Sequence, residues 1–159
     1  MEQINEKAIN TFRSGFNCAQ AVVMAYADQL KFDTSLALSI STGFGGGMGR
    51  LQETCGAVTG AFMVLGIHNC KKYTDNAERK AKTYAMIQEY DKKFKAIHHT
   101  TNCKELLGCD LKTPEGQKIL GEQNLHETVC TKCISDSVTI LEELMDSIIT
   151  KNKARSELT

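Results

Sequence analysis

The chain has 159 residues, enough for one domain with a sizeable core, and 19 basic against 19 acidic side chains leave it without net charge. No basic field for nucleic acid or a membrane surface is present, and no stretch reaches the ~18 apolar residues of a membrane span. The start, Met1 to Lys7, has no basic region followed by an apolar run, so a signal peptide is not expected and a cytoplasmic location is the default.

A single proline and an almost complete lack of strand-like alternation point to an all-α fold. Ile4, Ala8, Ile9 and Phe12 recur at helical spacing over 3–14, with Gly15 as the stop. Asn17 caps a second predicted helix that runs to about Leu30 and has Cys18 in its first turn. Asp33 or Thr34 opens a short helix through Leu36 and Ile40, ending at Gly43. The glycine-rich run Gly43 to Gly49 then leads into a nearly all-apolar helix from about Leu51 to Ile67, with Cys55 in its first turn. Apolarity on every side predicts burial at the centre of the domain. Gly56 and Gly60 lie on one bare face of that helix, favouring close packing in the core and making a homodimer reasonable.

Asp75 caps a long amphipathic helix to about His98, and Asn102 caps a short turn holding Cys103, which Gly108 ends. Thr113-Pro114-Glu115 reads as the N-cap, first and second positions of another short helix. A last helix is predicted from about Glu127 to Lys151, so residues 1–151 form one helical domain and 152–159 a polar, frayed tail.

Seven cysteines (Cys18, Cys55, Cys70, Cys103, Cys109, Cys130 and Cys133) are many for this length. An odd number cannot all pair within one molecule, and a reducing compartment directs such residues toward metal binding or redox chemistry. Cys18, Cys55, Cys103 and Cys130 each fall in the first turn of a predicted helix, where backbone N–H groups favour the thiolate. Cys130-Thr131-Lys132-Cys133 is a CxxC whose sulfurs share one helix side, suiting a metal or a dithiol. Ile134 follows it where covalent haem attachment needs histidine. The glycine run lacks the third glycine of a dinucleotide fingerprint, and no GK[ST] occurs, so no nucleotide is expected. His68, His98, His99 and His126 read as loop and helix-end residues.

Four stretches carry a resemblance across nearly the whole chain: Asn17 to Val22, Gly43 to Gly66, Cys103 to Leu111, and Cys130 with the helix ending Leu141-Glu142-Glu143-Leu144. In these the chain resembles the C-GCAxxG-C-C family of redox-active proteins, which is related to the non-haem part of split-Soret cytochromes. The resemblance implies four recurring cysteines, matched here by Cys18, Cys55, Cys103 and Cys130, with Cys70 and Cys109 outside the set. Two departures stand out. Glycine follows Cys55 instead of preceding it, and Cys133 occupies an expected apolar position, making it an alternative fourth ligand.

Four thiolates are the usual complement of an iron–sulfur cluster, and amides near Gly45, Gly46, Gly47 and Gly49 are placed to hydrogen-bond to its sulfurs. The leading expectation is therefore a cluster for electron transfer or redox sensing, without haem, nucleic acid or membrane insertion, serving a partner protein. The alternatives are thiol–disulfide chemistry with Cys55 as the attacking thiol, structural zinc on the same four cysteines, or a scaffold in which the thiols merely pack.

Overall fold

The computed structural model describes residues 2–156, with side chains through Asp146. The elements, in chain order, are α1 (Glu2–Arg13), α2 (Cys18–Ala25), α3 (Ala27–Leu30) and α4 (Thr34–Ser41). Then come the short turn α5 (Gly45–Met48), α6 (Gly56–Lys72), α7 (Asn76–His98), α8 (Cys103–Leu107), α9 (Pro114–Glu122) and α10 (Thr131–Ser156). No strand occurs among the described residues, and the fold is all-α, as expected. No helix among them is long and apolar enough to cross a membrane.

Short polar side chains fix most helix starts. Asn17 accepts from the Gln20 amide while Gln20 reaches back to the Asn17 amide, a complete capping box. Asp33, Asp75, Asn102 and Thr113 each accept from the amide three residues on, and Pro114 occupies the first position of α9.

The predicted second helix is broken at Tyr26, whose buried hydroxyl donates to the Val138 carbonyl. The central helix starts at Gly56 rather than Leu51, because Arg50 and Gln52 lie at φ 62° and 61°, outside right-handed helix space. It extends to Lys72, which places His68 about one turn before its C-terminal end. Before α10, His126–Cys130 form a π-helical segment. Consequently neither Cys55, the N-cap of α6, nor Cys130, at the end of that segment, sits in a first α-helical turn; Cys18 and Cys103 do. α10 runs on past Lys151 to Ser156, and the rest of the expected tail lies outside the described residues.

α6 is the central element, burying Ala57, Val58, Ala61, Val64 and Leu65 against α2, α7 and α10. Gly56 and Gly60 face α2. A Cβ on Gly60 would stand 2.8 Å from the Ala19 carbonyl oxygen, so the bare face is spent on core packing. Tyr90 and Phe94 of α7 and Ile134, Val138 and Leu141 of α10 complete the main core. Tyr90 stacks on Phe94, and its hydroxyl shares a 2.6 Å hydrogen bond with Ser137. A smaller cluster of Cys103, Leu107, Cys109, Leu111 and Leu125 lies apart, and Val129 and Cys130 pack against both. That seam is where the functional side chains gather.

Candidate functional site

Five of the seven cysteines, Cys18, Cys55, Cys103, Cys130 and Cys133, line one chamber of about 740 Å³. Cys70 is exposed on α6, and Cys109 is buried in the small cluster; neither lines it. Gly45, Gly46, Gly47 and Gly49 form part of the wall.

Local backbone structure delivers each sulfur. The Asn17 cap holds Cys18 at the start of α2. Thr54 and Asn102 form an isolated antiparallel bridge, inside which the Cys55 amide donates to the Thr101 carbonyl at 2.8 Å and the Cys103 amide to the Glu53 carbonyl at 2.6 Å. Cys55 and Cys103, far apart in sequence, are thereby fixed side by side. The π-helical segment continues into α10, and the CxxC brings Cys130 and Cys133 to the same chamber. π-helical turns of this kind recur at functional sites.

The loop from Gly45 to Gln52 lets the backbone come close. Gly46, Gly47, Met48, Gly49 and Arg50 all have positive φ, making a left-handed turn closed by the Gly49 amide on the Gly45 carbonyl at 2.9 Å. At Gly47 (φ 66°) a Cβ would come within 2.6 Å of Cys103 Cβ and 2.9 Å of Gln52 Cα. Glycine is required there both by conformation and by space.

The fully buried Gln52 side chain is the positioning group that the sequence reading missed. Its Nε2 donates to the Cys109 carbonyl at 2.9 Å, and its Oε1 accepts from the Leu111 amide at 2.7 Å. It ties the segment after α8 to the glycine loop, and nothing local in the sequence distinguishes it. His126 was also assigned no part in the site. It lines the chamber with its ring edge-on to Phe12, 6.0 Å between centroids. Beside it Arg13 and Glu127 form a two-pronged ion pair that ties α1 to the π-helical segment.

The thiols influence one another. Cys18 faces Cys130, and Cys55 faces Cys133. The Cys133 S–H aimed at Cys55, helped by the Ala57 and Val58 amides at the start of α6, lowers the Cys55 pKa despite its burial. The same contact, with burial, raises Cys133. Contact with Cys130 and burial hold Cys18 well above the ordinary thiol value. Burial, then the charges of Cys55, Cys130 and Cys109, push Cys103 up to about 12. The set therefore resists multiple ionisation unless a cation compensates, and a bound cation reverses that preference by deprotonating its thiols.

Among the described residues no group of three or more Cys, His, Asp or Glu side chains is gathered tightly enough to hold a single metal ion. The sulfurs ring a chamber instead of converging on a point. An all-thiol donor set is the usual complement both of a structural zinc ion and of an iron–sulfur core.

No curated protein and no solved structure matches the chain. A family model described as "Putative redox-active protein (C_GCAxxG_C_C)" matches residues 16–144, a span that takes in every cysteine and the whole glycine loop. On that match, over well more than half of its length, the chain belongs to the C_GCAxxG_C_C family of redox-active proteins.

Proposed function

We propose that the five-thiol chamber binds an iron–sulfur cluster and that the protein transfers electrons or senses redox state through it. The gathering of Cys18, Cys55, Cys103, Cys130 and Cys133 around one glycine-walled chamber carries this reading. Cys18, Cys55 and Cys103 are three ligands, and Cys130 is the fourth, with Cys133 as its alternate one helical turn on. When bound, the cluster supplies one-electron chemistry. The chain's own part is to hold and shield it. The Thr54–Asn102 bridge fixes two ligands and the Asn17 cap a third, and the two apolar clusters pack on either side of the seam.

Iron and acid-labile sulfide analysis of anaerobically purified variants tests the assignment. Cys55→Ser is expected to lose or alter the cluster, whereas Cys70→Ser, outside the chamber, keeps the wild-type content. Equal loss in both variants contradicts the site.

A second reading has its own observation, the Cys55–Cys133 contact with pKa values moved in opposite directions. In that reading Cys55 attacks a partner disulfide and Cys133 resolves the mixed disulfide. The partner leaves as a dithiol while Cys55 and Cys133 become joined, so the two electrons balance. Thiol counts of reduced and disulfide-treated protein decide it. Loss of two thiols, mapped to Cys55 and Cys133, supports the exchange, and an unchanged count excludes it.

A further inference from the structure

The chamber is much larger than its sulfurs need. An iron–sulfur core spans a few bonds, and its ligands already belong to the wall, yet the chamber measures about 740 Å³, within the range of small-molecule sites. The space beyond the cysteines is bounded by Phe12, Phe16, Leu107, Leu120 and Val129. Phe16 is 41 % exposed, which puts it at the open side.

The charges of the wall are unbalanced in one place. Of its charged residues, Arg13 and Glu127 neutralise each other, which leaves Arg50. The Arg50 amide donates to the Gly45 carbonyl at 3.2 Å, but the residue's exposed guanidinium has no ion pair or hydrogen bond to another described side chain. Its backbone is also left-handed, at φ 62°, in a turn where its neighbours Gly46, Gly47 and Gly49 adopt that conformation without strain. A glycine would suit that backbone conformation better, and the Arg50 stem instead lies over Gly46, with Arg50 Cγ 2.9 Å from where a Gly46 Cβ would stand. An exposed guanidinium without a side-chain partner, on the wall of a mixed polar and apolar chamber that also carries Phe12 and Phe16, is placed to anchor an anionic ligand.

We infer that the chamber is a binding site for a small molecule with an apolar, ring-bearing body and one anionic group, the body lying against Phe12 and Phe16 and the anion on Arg50. The ligand's role as electron donor or acceptor rests on the redox reading above; its binding does not.

Fluorescence titration of the full chain with anilinonaphthalene sulfonate, and with its uncharged counterpart phenylnaphthylamine, tests this. Each probe is expected to bind at one site per chain. Arg50→Gln should weaken the sulfonate about tenfold and leave the uncharged probe unchanged, the loss of one charge-assisted contact. Arg50→Gly, which relieves the strained backbone, should show the same selective loss and guards against a folding defect. A Leu36→Ser/Ile40→Ser variant, altered only at exposed apolar positions outside the chamber, should bind both probes as wild type.

The inference is overturned if neither probe binds, if sulfonate affinity is indifferent to Arg50, or if the Leu36/Ile40 variant loses the probes. It is also overturned if Arg50→Gln changes only the reduction potential, which would make the guanidinium a counter-charge for the sulfurs. Because binding is read without iron, the two readings fail separately: a chain that carries no iron when isolated anaerobically, yet binds the sulfonate through Arg50, loses the cluster and keeps the ligand site.

Discussion

Replacing Gln52 by alanine removes both ends of the tie between the glycine loop and the segment after α8. The Cys109 carbonyl loses its donor at 2.9 Å and the Leu111 amide its acceptor at 2.7 Å, and both belong to buried residues. Leaving a buried polar group unpaired costs about 1–3 kcal/mol, so the pair should cost about 2–4 kcal/mol once the segment has partly relaxed. Gln52→Gly loses the same two bonds but relieves the residue's φ of 61°, worth about 1 kcal/mol, and should be the less damaged variant. Urea unfolding of both variants measures the stability terms. Native-state labelling with a maleimide measures the positional effect, because the loosened segment carries Cys103 and Cys109 while Cys18 sits on the α2 cap. Cys103 and Cys109 should label faster in Gln52→Ala, with Cys18 unchanged. A stability loss below about 0.5 kcal/mol, the range of ordinary surface substitutions, or uniform acceleration at every cysteine refutes the positioning role.

Three further outcomes follow from the same packing. Gly60→Ala puts a methyl 2.8 Å from the Ala19 carbonyl oxygen, and the overpacking cost should exceed the alanine's helix-propensity gain, leaving a net loss of about 1–2 kcal/mol in urea unfolding. Tyr90→Phe leaves the Ser137 hydroxyl unpaired in the core and should cost about 1–2 kcal/mol, much of it recovered on the Ser137→Ala background in a double-mutant cycle. In reduced, iron-free protein, iodoacetamide should discriminate by pH. A thiol reacts as its thiolate, so a lowered pKa keeps Cys55 reactive as the pH falls, while Cys103, raised to about 12, and Cys133, also raised, react only at more alkaline pH. Peptide mapping that finds Cys133 alkylated ahead of Cys55 at neutral pH contradicts that assignment.

The sequence was informative wherever the physics is local. Asn17, Asp33, Asp75, Asn102 and Thr113 announce helix starts because a short side chain must accept a free amide just before an apolar-periodic run. The bare face of Gly56 and Gly60 announces a close helix contact for an equally local reason, the missing Cβ.

What escaped is set by tertiary partners. Left-handed backbone at Met48, Arg50 and Gln52 has no compositional mark, since those residue types normally avoid it, and it moves the start of α6 from Leu51 to Gly56. The bridge between Thr54 and Asn102 joins segments remote in sequence, and no pattern in either predicts the other. The π-helical turn before α10 likewise leaves no periodic trace over so few residues, although it brings Cys130 to the chamber with Cys133. The four proposed cysteines were identifiable by type, and Cys133 through the CxxC; that all five sulfurs line one chamber was not, because the Thr54–Asn102 bridge and the π-helical segment help gather them there.

Iron K-edge X-ray absorption on the wild-type chain, isolated and held under strict anaerobiosis, tests the central claim most directly. The cluster assignment predicts an all-sulfur first shell around iron with a second iron as the next scatterer, a signal that Cys55→Ser diminishes or changes. Stoichiometric zinc in place of iron, iron bound only by nitrogen or oxygen, or a chain that carries no iron under those conditions would contradict it.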